Sequence, residues 1–216
     1  MRIVHILTAT LALAPITTCV NPRHAPLPPR SIAIQQMRQV PVGSSGSVAG
    51  VVTVGSGTFD GGFAVQDATG GIYVTAPADS SRYAAGTMVS ITGTVSNPQN
   101  QLAIDAGSIR ILGRAALPAP RPVRTGRVNE RSEGLLIRVR GRVAGEVVDD
   151  RPWGWKLMLD DGSGALLVFM DAQAGIDVSA IRAGQWLEVT GYSGQYEQHR
   201  EILPRTPSDL RAVTGP

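Results

Sequence analysis

Carboxylate, imidazole and thiol groups are the side chains of this sequence that could act as acids, bases or metal ligands. The sequence has two adjacent pairs: Asp149-Asp150, which is followed by Arg151 and Pro152, and Asp160-Asp161, which is followed by Gly162. Neighbours on a strand point to opposite faces, so turn formation explains these pairs better than shared acid–base chemistry. Three histidines and one cysteine in 216 residues offer no cluster for zinc and no internal disulfide. We therefore predict a protein that is not an enzyme and uses no metal or cofactor.

A short basic row is the clearest charged motif. Arg138, Arg140 and Arg142 occupy alternate positions, and on a β-strand such residues share one face at a spacing of about 6.6 Å. The residues between them are apolar or glycine, which places the arginines outside the core. They could bind an anionic polymer, or they could pair with carboxylates such as Glu146 and Glu188 on neighbouring strands.

The elements that must position these groups form an internal repeat. Gly50 aligns with Gly141 at an offset of 91, and the offset grows only between apolar blocks. Insertions behave in this way when the blocks are strands and the gaps are loops. The remaining aligned blocks are 63–74 with 157–168 (offset 94), 85–93 with 183–191 (offset 98) and 109–111 with 210–212 (offset 101).

Each repeat predicts five short strands, because its blocks alternate apolar and polar residues between Gly, Asp, Asn or Ser turns. Five strands in about 70 residues are typical of the OB-fold, whereas a β-sandwich needs about seven or more. The predicted class is all-β, with two tandem OB-folds, five-stranded Greek-key barrels, after a signal peptide and a Pro-rich tether. The predicted boundaries are 1–19 for the signal peptide, 20–42 for the tether, 43–112 for the first module, 113–134 for a Pro/Arg-rich linker and 135–213 for the second module.

The blocks 63–74 and 183–191, with the Pro-rich link 117–123, resemble a known family. They are similar to tandem OB-fold modules in the extracytoplasmic sensor regions of bacterial histidine kinases and diguanylate cyclases. The resemblance covers about residues 43–213. It implies extracytoplasmic binding and transfers no catalytic residue, and because the sequence contains no kinase or cyclase domain, a signalling role does not carry over.

OB-folds bind ligands on the outer face of strands two and three and in the flanking loops. By alternation Tyr73 and Phe169 point outward there, where they could stack on a ligand or be covered by the linker or the other repeat. The two steps in offset predict longer flanking loops in repeat 2, and therefore the main binding surface. Otherwise the extra length is tolerated loop variation, with Trp153 capping the barrel. The candidate contacts are Arg151, Trp153 and Lys156 at the first loop and Tyr192, Tyr196, His199 and Arg200 at the second.

Net charge weighs against nucleic acid as the ligand. The whole chain carries +3, but residues 43–112 contain two arginines against four aspartates, and residues 135–213 contain nine basic against eleven acidic side chains. The basic excess therefore lies in the tether and the linker, whereas binding of single strands is driven mainly by a basic groove.

The N-terminus predicts export. Residues 3–16 are apolar, follow Arg2 and end close to Cys19. The segment is too short for a permanent membrane span and resembles a signal peptide with a lipobox. We expect lipidation of Cys19, and thus a periplasmic or membrane-anchored lipoprotein that contacts the membrane through its lipid at most; the alternative is a discarded signal peptide carrying a free thiol.

Together these features predict a non-enzymatic extracytoplasmic binding or adaptor protein. The alternative is a single-stranded DNA binding protein that uses the OB-fold faces. The ligand expected from fold alone is an oligosaccharide, a peptide or protein, or a single-stranded nucleic acid.

Overall fold

The computed structural model describes residues 30–59, 62–75 and 83–215. The predicted signal peptide, Cys19 and the first part of the tether lie outside these ranges. No helix within the described ranges is long and apolar enough to cross a membrane.

Nearly all of the regular secondary structure in the described chain is β-strand. The first half contains helix α1 (Ile34–Met37) and strands β1 (Ser45–Val54), β2 (Gly62–Gln66), β3 (Gly71–Thr75), β4 (Thr87–Ser96) and β5 (Ala103–Arg114). The second half contains β6 (Arg121–Pro122), β7 (Leu136–Val143), β8 (Val148–Asp150), β9 (Gly154–Asp160), β10 (Ala165–Asp171), β11 (Trp186–Tyr196), β12 (His199–Leu203) and β13 (Leu210–Ala212). Short 3₁₀ turns lie at Pro98–Asn100, Thr125–Arg127, Ala172–Ala174 and Pro207–Asp209.

Strands β1 to β5 form a closed barrel, barrel 1, in the order β1-β2-β3-β5-β4, and β4 pairs back onto β1. Only the β3–β5 pair is parallel. Barrel 2 closes in the same way, because β7 pairs with β9, β9 with β10, β10 in parallel with β12, β12 with β11, and β11 with β7. Both are OB-fold barrels, which confirms the predicted fold class.

The strand register confirms the internal repeat residue by residue. Gly50 pairs with Val89 in barrel 1, and its equivalent Gly141 pairs with Leu187 in barrel 2. The same agreement holds in the β2–β3 and β9–β10 hairpins, where Phe63 faces Val74 and Leu157 faces Val168.

Alternation along the strands fills each barrel with its own apolar core. The inward residues of β2 and β3, such as Phe63, Val65 and Ile72, are fully buried. Their equivalents in β9 and β10, such as Leu157 and Leu159, are likewise buried in barrel 2. Since the side-chain period of a strand is two, this arrangement fixes which residues lie on the outer faces.

The segment before each barrel also belongs to the repeat. The Ile32 N–H donates to Ser47 O at 2.8 Å, and the Val123 N–H donates to Arg138 O at 2.9 Å, which are equivalent positions at the offset of 91. Ile34 and Met37 are fully buried against barrel 1. The predicted tether is therefore wrong for this stretch, because the residues close the barrel rather than span a gap.

The predicted linker is likewise packed rather than free. The Thr125 hydroxyl donates to the Asp161 carboxylate at 2.9 Å, and the Gly126 N–H donates to Ser163 Oγ at 2.9 Å. In barrel 1 the Ile34 N–H donates to Asp67, the equivalent of Asp161, at 2.9 Å. Each hairpin carboxylate thus holds the segment that precedes its own barrel.

Candidate binding site

The outer β2–β3 face of barrel 1 is covered by barrel 2. Phe59, Ala64 and Tyr73 of barrel 1 pack with Tyr192 and Leu203 of barrel 2 in a separate apolar cluster. The Tyr192 ring lies 6.5 Å from that of Phe59 and 6.1 Å from that of Tyr73, tilted in both cases. The face on which OB-folds bind ligands is therefore occupied, in barrel 1, by a polypeptide surface of the same chain.

Charged groups surround this apolar contact. Glu133, with a side chain 1% exposed, accepts from Arg38 at 3.3 Å, from Arg200 at 2.5 Å and from the Leu102 N–H at 3.1 Å. Glu130 bonds the same two arginines at 3.0 and 2.7 Å but is 66% exposed. The network joins α1, the linker and β12, so that it ties the two barrels together.

A second polar contact between the barrels involves the segment that joins β12 to β13 in barrel 2. Arg205 donates to Asp209 from Nε and Nη2 at 2.8 Å each and to the carbonyl oxygen of Thr53 in barrel 1 at 3.0 Å. The backbones also touch, since Gly71 and Gly134 lie so close that neither position has room for a Cβ atom.

These contacts bear on three sequence-based assignments. Tyr192 lies in β11 with 2% of its surface exposed, so its assignment to an exposed binding loop is wrong. Tyr73 is covered by the other repeat, which was the alternative to ligand stacking. Arg200 forms ion pairs across the interface, which hold its guanidinium in place.

The prediction of a longer second flanking loop in repeat 2, between β11 and β12, is also wrong. Tyr196 pairs with His199, so β11 and β12 are joined by a tight two-residue turn. The three added residues lie instead between β12 and β13, in the segment that carries Arg205 and Asp209. The first insertion is where the offsets place it, between β7 and β9, where it forms β8.

The equivalent face of barrel 2 is open. At the offset of 94 that relates β2 and β3 to β9 and β10, Trp153 corresponds to Phe59, Met158 to Ala64 and Leu167 to Tyr73. Trp153 is 62% and Met158 39% exposed, whereas Phe59 is 6% and Ala64 0% exposed. Trp153 therefore does not cap the barrel; its neighbour Trp155 packs against the core. We call this surface the open face, and its side chains are Val148, Trp153, Lys156, Met158, Leu167, Phe169, Tyr196, His199 and Glu201.

Lys156 of the open face and the nearby Arg151 are each paired with a carboxylate. Lys156 contacts Asp150 at 2.6 Å and lies 5.8 Å from the centre of the Phe169 ring. Arg151 binds Asp149 through its side chain at 2.5 to 3.0 Å. Hydrogen bonds from the Arg151 side chain and backbone lower the pKa of Asp149 to about 2, so both groups stay charged near neutral pH.

Glu201 is the unusual group of this surface. It faces Leu167 across the parallel β10–β12 pair and is 8% exposed. Burial raises its pKa to about 7, and the positive charge of Lys156 opposes that shift only in part. The carboxyl therefore carries only part of its negative charge at neutral pH.

Tyr196 and His199 lie side by side at the end of the β11–β12 hairpin, where both are exposed. Tyr196 is 49% exposed. The hairpin turn contacts the β4–β5 loop of barrel 1, since the Glu197 N–H donates to Gln99 O at 2.6 Å. The edge of the open face is thus anchored to the interface between the barrels.

The arginine row, Arg138, Arg140 and Arg142, lies on a different wall of barrel 2, formed by β7 and β11. All three are exposed, and two bond carbonyl oxygens: Arg140 that of Thr214 at 3.1 Å and Arg142 that of Gly184 at 3.1 Å. In the described part of the chain none of the three forms an ion pair. The expected partner Glu188 is bonded to Arg211.

The adjacent aspartates serve turns, as the sequence indicated. Asp160 accepts from the Gly162 N–H at 2.7 Å, and Asp161 accepts from the Ser163 N–H at 2.9 Å. Burial alone would raise the pKa of Asp161, but hydrogen bonds from Ser163, Thr125 and Arg124 lower it. Among the residues that the structure describes, no three His, Cys, Asp or Glu side chains converge on a possible metal site.

No protein family model and no curated protein matches the chain. Among solved structures, the S. pombe Stn1-Ten1 complex is similar at 21% identity and a TM-score of 0.32, over 38% of this chain. The match spans 60% of that chain, which is less than two thirds of its length. A murine DNA binding protein bound with double-stranded DNA matches at 11% identity and a TM-score of 0.40, over 79% of this chain and 97% of that chain. The OBody AM1L10 bound to hen egg-white lysozyme matches at 16% identity and a TM-score of 0.36, over 47% of this chain and 100% of that chain. The DNA and the lysozyme are bound by those proteins.

Proposed function

We propose that this chain is a non-enzymatic binding protein whose ligand is the surface of a partner polypeptide, and that the partner docks on the open face of barrel 2. The observation that carries the proposal is the equivalence of the two outer faces. In barrel 1 the face built by Phe59, Ala64 and Tyr73 packs against Tyr192 and Leu203. In barrel 2 no apolar cluster of described residues covers the corresponding Trp153, Met158 and Leu167, and Trp153 is 62% and Met158 39% exposed.

The composition of the open face supports a protein ligand. Trp, Tyr and Met are enriched at protein–protein interfaces, and exposed contiguous apolar patches mark interaction sites. Val148 is 57% and Trp153 62% exposed, with Met158 nearby at 39%. Such side chains gain free energy mainly by leaving water, which requires an apolar surface on the partner.

The charges of the open face weigh against a polyanion at this site. Lys156 is paired with Asp150, the nearby Arg151 is paired with Asp149, and the ionised form of Glu201 adds a negative charge. Binding of a single strand at such a site would have to break these pairs before phosphates could be neutralised. An oligosaccharide could stack on Trp153, and the experiment below distinguishes this possibility.

We further propose that the protein is exported and anchored through Cys19. The proposal rests on the apolar stretch 3–16 and on the position of the cysteine three residues after its end. Fractionation of cells that express the full chain or Cys19→Ser tests it. We expect the native chain in the membrane fraction and the variant in the soluble exported fraction; an unlipidated native chain in the soluble fraction would refute the proposal.

Site-specific photo-crosslinking tests the docking site. The full chain is expressed in its native cells with a photoreactive phenylalanine in place of Trp153 or Met158. Met88 provides the matched control, because it is a methionine on the outer surface of barrel 1 with 36% exposure, close to that of Met158. We expect a discrete, protease-sensitive adduct from positions 153 and 158 and none from position 88.

A second variant links the adduct to the open face. Val148→Glu places a charge on an exposed residue of that face and should leave folding intact, and we expect it to reduce the Met158 adduct at least about fivefold, since a desolvated charge opposes apolar docking. Equal adducts from all three positions would refute the site. Adducts that disappear with glycosidase or nuclease, but not with protease, would replace the polypeptide with a glycan or a nucleic acid.

A further inference from the structure

The wall of barrel 2 formed by β7 and β11 carries an excess of positive charge that the proposed docking site does not use. The arginine row projects from β7, and Arg211 projects from the neighbouring β13. Two carboxylates project from the same wall. Glu188 is bonded to Arg211, and Asp160 accepts from the N–H groups of Gly162 and Gly164. The wall therefore carries four arginines and only two carboxylates, both of which already have hydrogen-bond partners.

We propose that this wall binds a single-stranded nucleic acid, with Arg138, Arg140 and Arg142 contacting its phosphates. Alternate residues of a strand are about 6.6 Å apart. Neighbouring phosphates of an extended single strand are separated by a similar distance, so each arginine of the row can contact one phosphate. The site is separate from the open face and stands independently of the partner proposed for that face.

An aromatic side chain lies beside the row. Trp186 is paired with Arg142 across the β7–β11 ladder, so both project from the same wall, and Trp186 is partly exposed. Stacking of a base on an exposed ring, together with phosphate contacts to arginine, is the usual basis of single-strand binding. Next to Arg142 the wall also has a depression of about 400 Å³, lined by Asp160, Gly162 and Gly184 among others.

Barrel 1 shows that the fold itself does not require these residues. The positions equivalent to the three arginines are Ser47, Ala49 and Val51, and Met88 is equivalent to Trp186. They occupy the same β1–β4 pairing in an OB-fold of the same topology. The arginines and the tryptophan are therefore additions to one barrel, and among the described residues the row has two bonds to carbonyl oxygens and no ion pair.

Fluorescence anisotropy with a labelled oligothymidylate of about 20 nucleotides tests the site on the full chain. We expect binding at about 25 mM salt that weakens steeply as salt rises. Replacing Arg138, Arg140 and Arg142 together by Gln should weaken binding at least about tenfold. It should also reduce the slope of log K against log salt by about 2, since each phosphate contact to a single strand contributes about 0.7.

The matched control removes the same charge elsewhere. Replacing Arg30, Arg110 and Arg114 by Gln should change the affinity less than about twofold, because these exposed arginines belong to barrel 1 and the segment before it. Trp186→Leu should weaken oligothymidylate binding several-fold and leave the binding of inorganic polyphosphate unchanged, since polyphosphate has no bases. Thermal melting confirms that each variant is folded.

Three results would overturn the proposal. They are no binding of oligothymidylate by the native chain at low salt, equal losses in the two triple variants, and displacement of the oligonucleotide by polyphosphate as effectively as by unlabelled oligothymidylate. The last result would reduce the wall to a general phosphate-chain site. Loss of binding in the arginine-row variant alone, with Trp186→Leu sensitive only towards the oligonucleotide, confirms it.

Discussion

The two barrels share one topology and one strand register but differ in whether the same outer face is buried. In barrel 1 that face is buried under β11 and β12, and its central ring, Phe59, is 6% exposed. In barrel 2 the equivalent Trp153 is 62% exposed. A duplicated surface is thus an internal interface in one copy and exposed to solvent in the other. The comparison teaches that an apolar OB-fold face can be covered by another part of the polypeptide without a change in the strand pairing of the barrel beneath it.

The buried carboxylate at the barrel interface should give the largest stability effect. Glu133→Gln removes the charge that Arg38 and Arg200 share, and leaving buried or partly buried charges without their partner costs about 3 kcal/mol. Urea unfolding of the full chain measures the loss. Glu130→Gln is the control, since it touches the same arginines from a 66% exposed position, and its effect should stay below about 1 kcal/mol. Equal effects would mean that the network does not hold the barrels together.

The next effect compares equivalent rings. Phe59→Ala removes a buried ring and should lower the free energy of unfolding by about 3 kcal/mol, by lost burial and by the cavity left behind. Trp153→Ala removes an exposed ring and should change it by less than about 0.5 kcal/mol. Thermal and urea unfolding measure both. A large loss for Trp153→Ala would show that the open face is covered in solution.

Glu201 should make the stability of barrel 2 depend on pH. Its pKa of about 7 in the folded chain lies above the ordinary carboxyl value of 4.5. Between those values the folded state binds more protons than the unfolded state, so the free energy of unfolding falls as pH rises from about 4.5 to 7. We expect a decrease on the order of 2 kcal/mol across that window. Glu201→Gln should flatten this part of the profile, and an unchanged profile would assign the dependence to other groups.

The smallest expected effect is a gain. The Tyr192 hydroxyl is buried without a hydrogen-bond partner among the described residues, and an unsatisfied buried hydroxyl costs about 1 kcal/mol or more. Tyr192→Phe keeps the ring contacts with Phe59 and Tyr73, so it should raise the unfolding free energy by about 1 kcal/mol. Differential scanning calorimetry detects this as a higher Tm. A lower Tm would show that the hydroxyl has a partner in solution.

The fold was predictable because its signals are local. Alternation along the strands and the glycine-rich turns identified the barrels, and the stepwise offsets located β8 as an insertion. The segments before each barrel were not predicted. Ile34 and Met37 fill barrel 1 from a single helical turn, and a Pro-rich stretch with one turn of helix has no periodicity to detect.

The site was predictable only in part, because strand parity gives the outer residues but not what covers them. Parity placed Tyr73 and Phe169 outside their barrels, as observed. It gave no means of knowing that Tyr192 would lie on Tyr73, since that contact depends on how two barrels far apart in sequence pack together. For the same reason Arg200 was assigned to a ligand rather than to Glu133.

The contact between Arg205 and the carbonyl of Thr53 spans 152 residues of sequence. Contacts of such separation form late, because the entropy of closing the intervening chain must first be overcome, whereas the hairpins of each barrel close locally. During synthesis barrel 1 is therefore complete before its cover exists, and for that interval its apolar face is exposed to every neighbouring chain. The β11–β12 hairpin of a second nascent copy fits that face as well as the chain's own hairpin does. Exchange of this hairpin between two nascent copies is the assembly error to which this architecture is most exposed.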